Sequence, residues 1–265
     1  MAIGLFMKFP NPLHEAILLK HKKTLAEVIL ADQQKHTIYC QNPGSLIGCH
    51  ALGSRIWFSC QSNPHKGYPD TWELIEGKEG QLICVNHQRT KEMVLDSIAQ
   101  NQIPSLTQYQ HILSDVKFEN QRFDFLLSQH PHFHDKEAFL EEGQYACCFG
   151  VINSVTLGDE IKRGFFPDVQ NKKISKQLAA LIKAKEMGYR AVLIYCVTHP
   201  GINRVFPADH IDPDFGSLLR QAVIRGVEIM AYRTEITLEE MHIVSPIEVR
   251  IPARMLYTPR AEKSG

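Results

Sequence analysis

The sequence predicts an α/β protein in two parts, a small β-barrel over residues 1–85 and a layered α/β domain over residues 86–265. Three observations carry that prediction. The first 85 residues alternate short β-branched and aromatic runs with turn segments rich in Gly, Pro and Asn. After Val85 the pattern changes to capped helical segments interleaved with apolar runs, as a layered α/β domain requires. Ala191–Val197 is an unbroken apolar run, the pattern of a strand covered on both faces.

Taken in order, the first part reads as the strands HEAILLK, TLAEVIL, HTIYC, RIWFSC, TWELIE and QLICVN, broken by NPGS, ALGS, SNPHKGYP and EGKEG. Five or six short strands in this length fit a partly open Greek-key barrel of the OB kind. Trp57 and Trp72 belong in its core. In the second part, Thr90 is the predicted cap of a helix running to Gln100, and Pro104 follows. RFDFLLS (122–128) and YACCFGVI (145–152) read as strands, separated by a polar, His-rich stretch. Asn171 caps a helix whose Ile174, Leu178, Leu181, Ile182 and Lys185 share a face, and Gly188 stops it. Asp212 and Pro213 open a further helix, Gly226 closes it, and the strand VEIMAYR comes next. The vicinal Cys147 and Cys148 point to opposite faces of their strand, both into core.

Composition removes several classes. An apolar fraction of 44% with 22% charged residues is that of a globular chain, not a disordered one or a coiled coil. No apolar run approaches the roughly 18 residues of a membrane-spanning helix. Lys8 and Pro10 interrupt the stretch where an export signal would be apolar. The seven cysteines include no C-x-x-C, so they read as reduced thiols of a cytoplasmic protein rather than zinc ligands. Lysine plus arginine equals aspartate plus glutamate, at 29 each, yet the charge is polarised. Residues 162–190 carry eight cations against two acids, whereas residues 203–250 carry five arginines against eight acids. Lys172, Lys173 and Lys176 crowd the start of a helix, where cations oppose the dipole. A helix start also offers N–H groups to an anion, so the cluster reads as a phosphate-contacting face.

Segments QNPGSLIG (41–48), SNPHKGYPDTWELIE (62–76), RFDFLL (122–127), VINSVTL (151–157), FFPD (165–168) and FPADHIDPDFGSLLRQAVIRGVEIMAYR (206–233) together resemble the sugar fermentation stimulation protein A (SfsA) family. The resemblance implies an N-terminal OB-like barrel joined to a PD-(D/E)xK nuclease-like α/β domain with a central mixed sheet, and DNA binding. It also implies an Asp on one strand and a Glu-Val-Lys on the next, the carboxylates holding Mg²⁺ and the Lys serving the attacking water. Asp124 matches that Asp, the single metal-ligating candidate by this resemblance. Alignment on SVTL puts Val151 at the Glu and Asn153 at the Lys, and residues 143–158 contain no acid or base. The following helix departs as well, with Lys173, Ile174 and Gln177 at the positions of an Arg, a Gly and a His.

The expectation is therefore a DNA-binding member of the family with an impaired nuclease site, no catalytic residue and no cofactor. RNA is the second candidate partner, and no membrane is expected. The expected contacts are Lys172, Lys173 and Lys176, with Lys22, Lys23, Arg55 and Lys66 from the barrel. One alternative is an active Mg²⁺-dependent nuclease with a relocated carboxylate, drawn from Asp168, Asp159 or Glu160. Another is a regulatory protein-interaction module. His130, His132 and His134 alternate as a metal tract would, and read as an exposed loop insertion.

Overall fold

The computed structural model describes residues 6–253 apart from 43, 50, 66, 119 and 131–145, with 61–65 described as backbone only. Lys66, His132 and His134 lie outside the described residues. The first strand, β1 (Met7–Lys8), pairs with the far edge of the central sheet and not with the barrel that follows it.

The barrel is built from β2 (Leu13–Lys22), β3 (Leu25–Ile29), β4 (Lys35–Tyr39), β5 (Arg55–His65), β6 (Tyr68–Glu76) and β7 (Leu82–Cys84). Its order is β4-β3-β2-β5-β6-β7, and a bridge between Tyr39 and Thr71 joins β4 to β6 and closes it. Strand alternation sends Ala16 and Leu18 of β2 and Ala26 and Val28 of β3 inward, onto Ile38, Ile56 and Trp72. Both tryptophans are buried, Trp72 in the barrel core and Trp57 where the barrel meets α1 and the central sheet.

Helix α1 (His87–Ala99) leads away from β7. Its cap is Asn86, whose side-chain oxygen accepts from the Gln88 and Arg89 N–H groups, not Thr90. Thr90 is buried inside the first turn, its hydroxyl donating to the Asn86 carbonyl. The helix thus starts earlier than its sequence suggests, which places His87 and Lys91 four residues apart on one helical face.

The central sheet contains β8 (His111–Phe118), β9 (Gln121–Ser128), β10 (Cys147–Val155), β13 (Arg190–Val197), β15 (Glu228–Ile236) and β16 (Glu240–Pro246). With β1 the order is β1-β16-β15-β13-β10-β9-β8, with β10, β13 and β15 mutually parallel and the other pairs antiparallel. β10 continues past residue 152 because Asn153, Ser154 and Val155 stay in register with Tyr195, Cys196 and Val197. A small second sheet holds β11 (Leu157–Gly158), β12 (Arg163–Phe166), β14 (Arg204–Pro207) and β17 (Glu248–Val249). Helices α2 (Lys172–Glu186) and α3 (Pro213–Ile224) carry the predicted caps Asn171 and Asp212.

The two faces of the central sheet pack differently. Phe149, Val151, Leu193 and Tyr195 meet Leu178, Leu181, Phe215 and Leu219 of α2 and α3. Cys148, Ile152, Val192 and Ile194 meet Met93 and Val94 of α1 together with Trp57 and Leu74 of the barrel. Cys147 and Cys148 divide between these two cores, as alternation demands. No helix among the described residues is long and apolar enough to cross a membrane.

Candidate nucleic-acid interface and the altered strand pair

Asp124 lies in the middle of β9, 5% exposed. Its Oδ2 accepts the Ile152 N–H of β10 at 2.7 Å, and its Oδ1 accepts from the Lys91 ammonium of α1. Both carboxylate oxygens are thus engaged within the chain. Val151, expected from the resemblance to replace a Glu, is packed into the apolar core beneath α2. Asn153, expected from the resemblance to replace a Lys, lines a cavity of about 110 Å³ with Lys91, His87 and Ser154. The far wall of that cavity comes from α2 (Lys173, Ile174, Gln177) and its rim from the barrel loop (Asn42, Gly44).

Asp168 lines the same cavity and fastens the barrel to it. Its Oδ2 accepts the Leu46 N–H at 2.8 Å, and its backbone carbonyl accepts the Ser45 hydroxyl at 2.5 Å. Gly44 is needed here: a Cβ would stand 2.5 Å from the Asp168 carboxylate. Burial raises the Asp168 pKa above the ordinary carboxylate value, and the bonds from Leu46 and Ser45 pull it back. His87 shares its Nδ1 with the Ser154 hydroxyl at 2.9 Å. Burial first, then the charges of Lys91 and Lys173, push its pKa down to about 3, so it is a neutral imidazole at physiological pH.

A divalent cation of the kind the fold family implies does not fit this set. Hard cations take several oxygen ligands, mainly carboxylates. Asp124 already carries an ammonium, its strand neighbour supplies only Val151 and Asn153, and Asp168 gives one of its carboxylate oxygens to the barrel loop. Asp159 and Glu160 line a separate cleft of about 290 Å³, with Asp159 bound to Arg163 at 2.7 Å. Among the described residues no three His, Cys, Asp or Glu side chains converge as metal ligands. His130, the one described member of its tract, is buried.

The predicted contact residues separate into groups. Lys172, Lys173 and Lys176 are exposed on the first turns of α2, beside the cavity mouth, with no acid in that first turn. None of the three forms an ion pair among the described residues. Lys22 and Lys23 are exposed at the β2–β3 turn and do not line the cavity. Arg55 is engaged by its own barrel, bidentate to Glu76 at 2.6 and 2.9 Å and stacked over Trp57. Sequence reasoning missed Lys91 and His87. The available signal was Asn86, a better cap than Thr90, from which the i, i+4 pairing of His87 and Lys91 follows.

Comparison with known proteins agrees with this architecture. Residues 88–240 match the model of the sugar fermentation stimulation protein RE domain. Residues 22–85 match that of the SfsA N-terminal OB domain. The solved structure of Pyrococcus furiosus SfsA in complex with Ca²⁺ superposes with a TM-score of 0.80 at 19% identity, covering 93% of this chain and 99% of that one. At that identity the likeness speaks for the fold. With a barrel of OB topology, a mixed sheet carrying Asp124, and two family models spanning both parts, this chain belongs to the SfsA family.

Proposed function

We propose that this protein binds DNA along the face where α2 begins and does not hydrolyse it. The observation that carries the reading is the trio Lys172, Lys173 and Lys176, exposed and without an internal counter-charge among the described residues. Other cations of the same basic segment are neutralised at home: Arg163 by Asp159 and Arg190 by Glu228. Three unpaired lysines at a helix N-terminus are locally unfavourable, and phosphates supply the missing charge. Membership of a family with an OB domain supports a nucleic acid as the partner, RNA being the second candidate. Absence of hydrolysis follows from Lys91 standing on Asp124, with Val151 and Asn153 where a ligand and a cation would be needed. A cytoplasmic location belongs to the same reading.

The test is DNA binding by the whole chain across a salt series, with and without EDTA, scoring cleavage in parallel. Replacing Lys172, Lys173 and Lys176 by Ala lowers the slope of log affinity against log salt by up to about 3, near one per lost contact. EDTA changes nothing, and Mg²⁺ or Mn²⁺ yields no cleavage above background. An unchanged slope in the triple variant overturns the placement. Cleavage that is EDTA-sensitive and lost in Asp124→Ala installs the active nuclease instead.

A further inference from the structure

Asp124 has a cation in front of it, and that cation is Lys91 rather than a metal ion. The carboxylate is buried in β9 and does not line the cavity, whereas Lys91 does, so the pair meets the cavity through its lysine. An ammonium carries three donors, and Asp124 Oδ1 accepts one of them. Among the described residues nothing accepts the other two. The lysine side chain is 21% exposed and its head is tied to Asp124, so the charge is held in place before any ligand arrives.

The charges of the cavity wall are divided in space. Burial first, then Lys91 and Lys173, lower the pKa of His87, which places the two cations around one neutral imidazole. Asp168, the one acid of the lining, gives Oδ2 to the Leu46 N–H at the barrel rim. Its pKa is moved by burial and by the bonds from Leu46 and Ser45, and by neither lysine. One part of the wall thus presents two ammonium groups, and the acid sits apart from them against the barrel loop. A volume of about 110 Å³ has room for one tetrahedral oxyanion.

We propose that the Lys91 ammonium, carried by Asp124, takes the place of the divalent ion of the fold family and binds one phosphate group of the nucleic acid, with Lys173 as the second cation. In a metal site the ion bridges carboxylate and phosphate. Here the ammonium bridges them, donating to Asp124 on one side and to phosphate oxygen on the other. Lysine serves phosphates as a point charge and needs no fixed coordination geometry to do so. It does not turn water into a nucleophile as a bound ion does, so the contact is made without hydrolysis. The proposal rests on the DNA-binding reading above for the source of the phosphate, and adds to it a contact inside the altered site.

The experiment is an NMR titration of the full chain with inorganic phosphate in EDTA, repeated with excess Mg²⁺, beside DNA binding by the same samples. Phosphate moves the amide signals of Lys91 and Asn153 with a Kd of about 10 mM or tighter, and Mg²⁺ does not strengthen it. Lys91→Met weakens phosphate binding about 10-fold or more, through loss of a charge-assisted hydrogen bond. That variant also uncovers the Asp124 carboxylate. The critical protein is therefore Lys91→Met with Asp124→Asn, in which the net charge of the site is unchanged. It keeps the weakened phosphate binding and loses about 10-fold in DNA affinity. Lys173→Ala, at an exposed position, weakens phosphate binding as well. Wild-type phosphate affinity in the double variant, or in Lys173→Ala should the double variant not fold, overturns the site. Signals moved only at residues 171–176, binding that requires Mg²⁺, or no phosphate binding overturn it too. Lys91-dependent phosphate binding without DNA binding supports the site and overturns the reading of the α2 lysines. DNA binding with the expected salt slope, insensitive to the double variant, does the reverse.

Discussion

Helix α1 reaches two buried carboxylates with two cations set two residues apart, and the two pairs are built to different ends. Arg89 turns toward the barrel and meets Glu73 of β6, which is fully buried. Glu73 also accepts from Ser59 at 2.6 Å and Asn86 at 2.7 Å, so its oxygens are saturated by three partners. Lys91, about 200° further round the helix, turns toward the sheet and meets Asp124 beside the cavity. The first pair is closed on every side and clamps barrel to helix. The second borders the cavity that Lys91 and Asn153 line. The buried Glu73 pair is saturated within the chain, whereas the Asp124 pair borders open space.

The sharpest way to break the comparison is at its closed member. Glu73→Ala removes the buried partner of Arg89, leaving it only the half-exposed Glu92, and costs about 3 kcal/mol, read by denaturant unfolding. A loss below about 1 kcal/mol would show that Arg89 finds water instead. Lys91→Met leaves Asp124 with the Ile152 N–H alone and costs less, about 2 kcal/mol, because the lysine is part-exposed. Adding Asp124→Asn restores most of that loss, with a coupling of about 1–2 kcal/mol in the double-mutant cycle. Additive losses would mean the two side chains act independently.

Acid sharpens the same contrast. His87 has its pKa depressed from an ordinary value near 6.5 to about 3, chiefly by burial and then by Lys91 and Lys173. Between those values the unfolded chain binds the proton and the folded chain does not, so stability falls as pH drops through that window. In His87→Gln the part of the acid loss between pH 6.5 and 3 that exceeds the carboxylate contribution disappears. Identical pH profiles for variant and wild type would place His87 in water. The smallest effect belongs to the exposed pair of the barrel. Arg55→Ala leaves both the unfolding midpoint and the DNA salt slope at wild-type values, since its charge is already held by Glu76. A lowered slope would return Arg55 to the interface.

What the sequence determined by itself is what short-range chemistry encodes. Strand alternation from Leu13 to Cys84 forecast the barrel, and Asn171, Asp212, Gly188 and Gly226 marked the helix ends they now occupy. The apolar run of β13 forecast a strand buried on both faces, and it is. The tertiary structure alone decided the rest, because it depends on partners far apart in the chain. Lys91 and Asp124 are 33 residues apart, and Leu46 and Asp168 are 122 apart. No local pattern reports that an ammonium from α1 stands on Asp124, that β1 pairs across the molecule with β16, or that a barrel loop roofs the cavity. Those contacts arise where barrel, α1 and central sheet pack together, and one of them puts the Lys91 ammonium on Asp124.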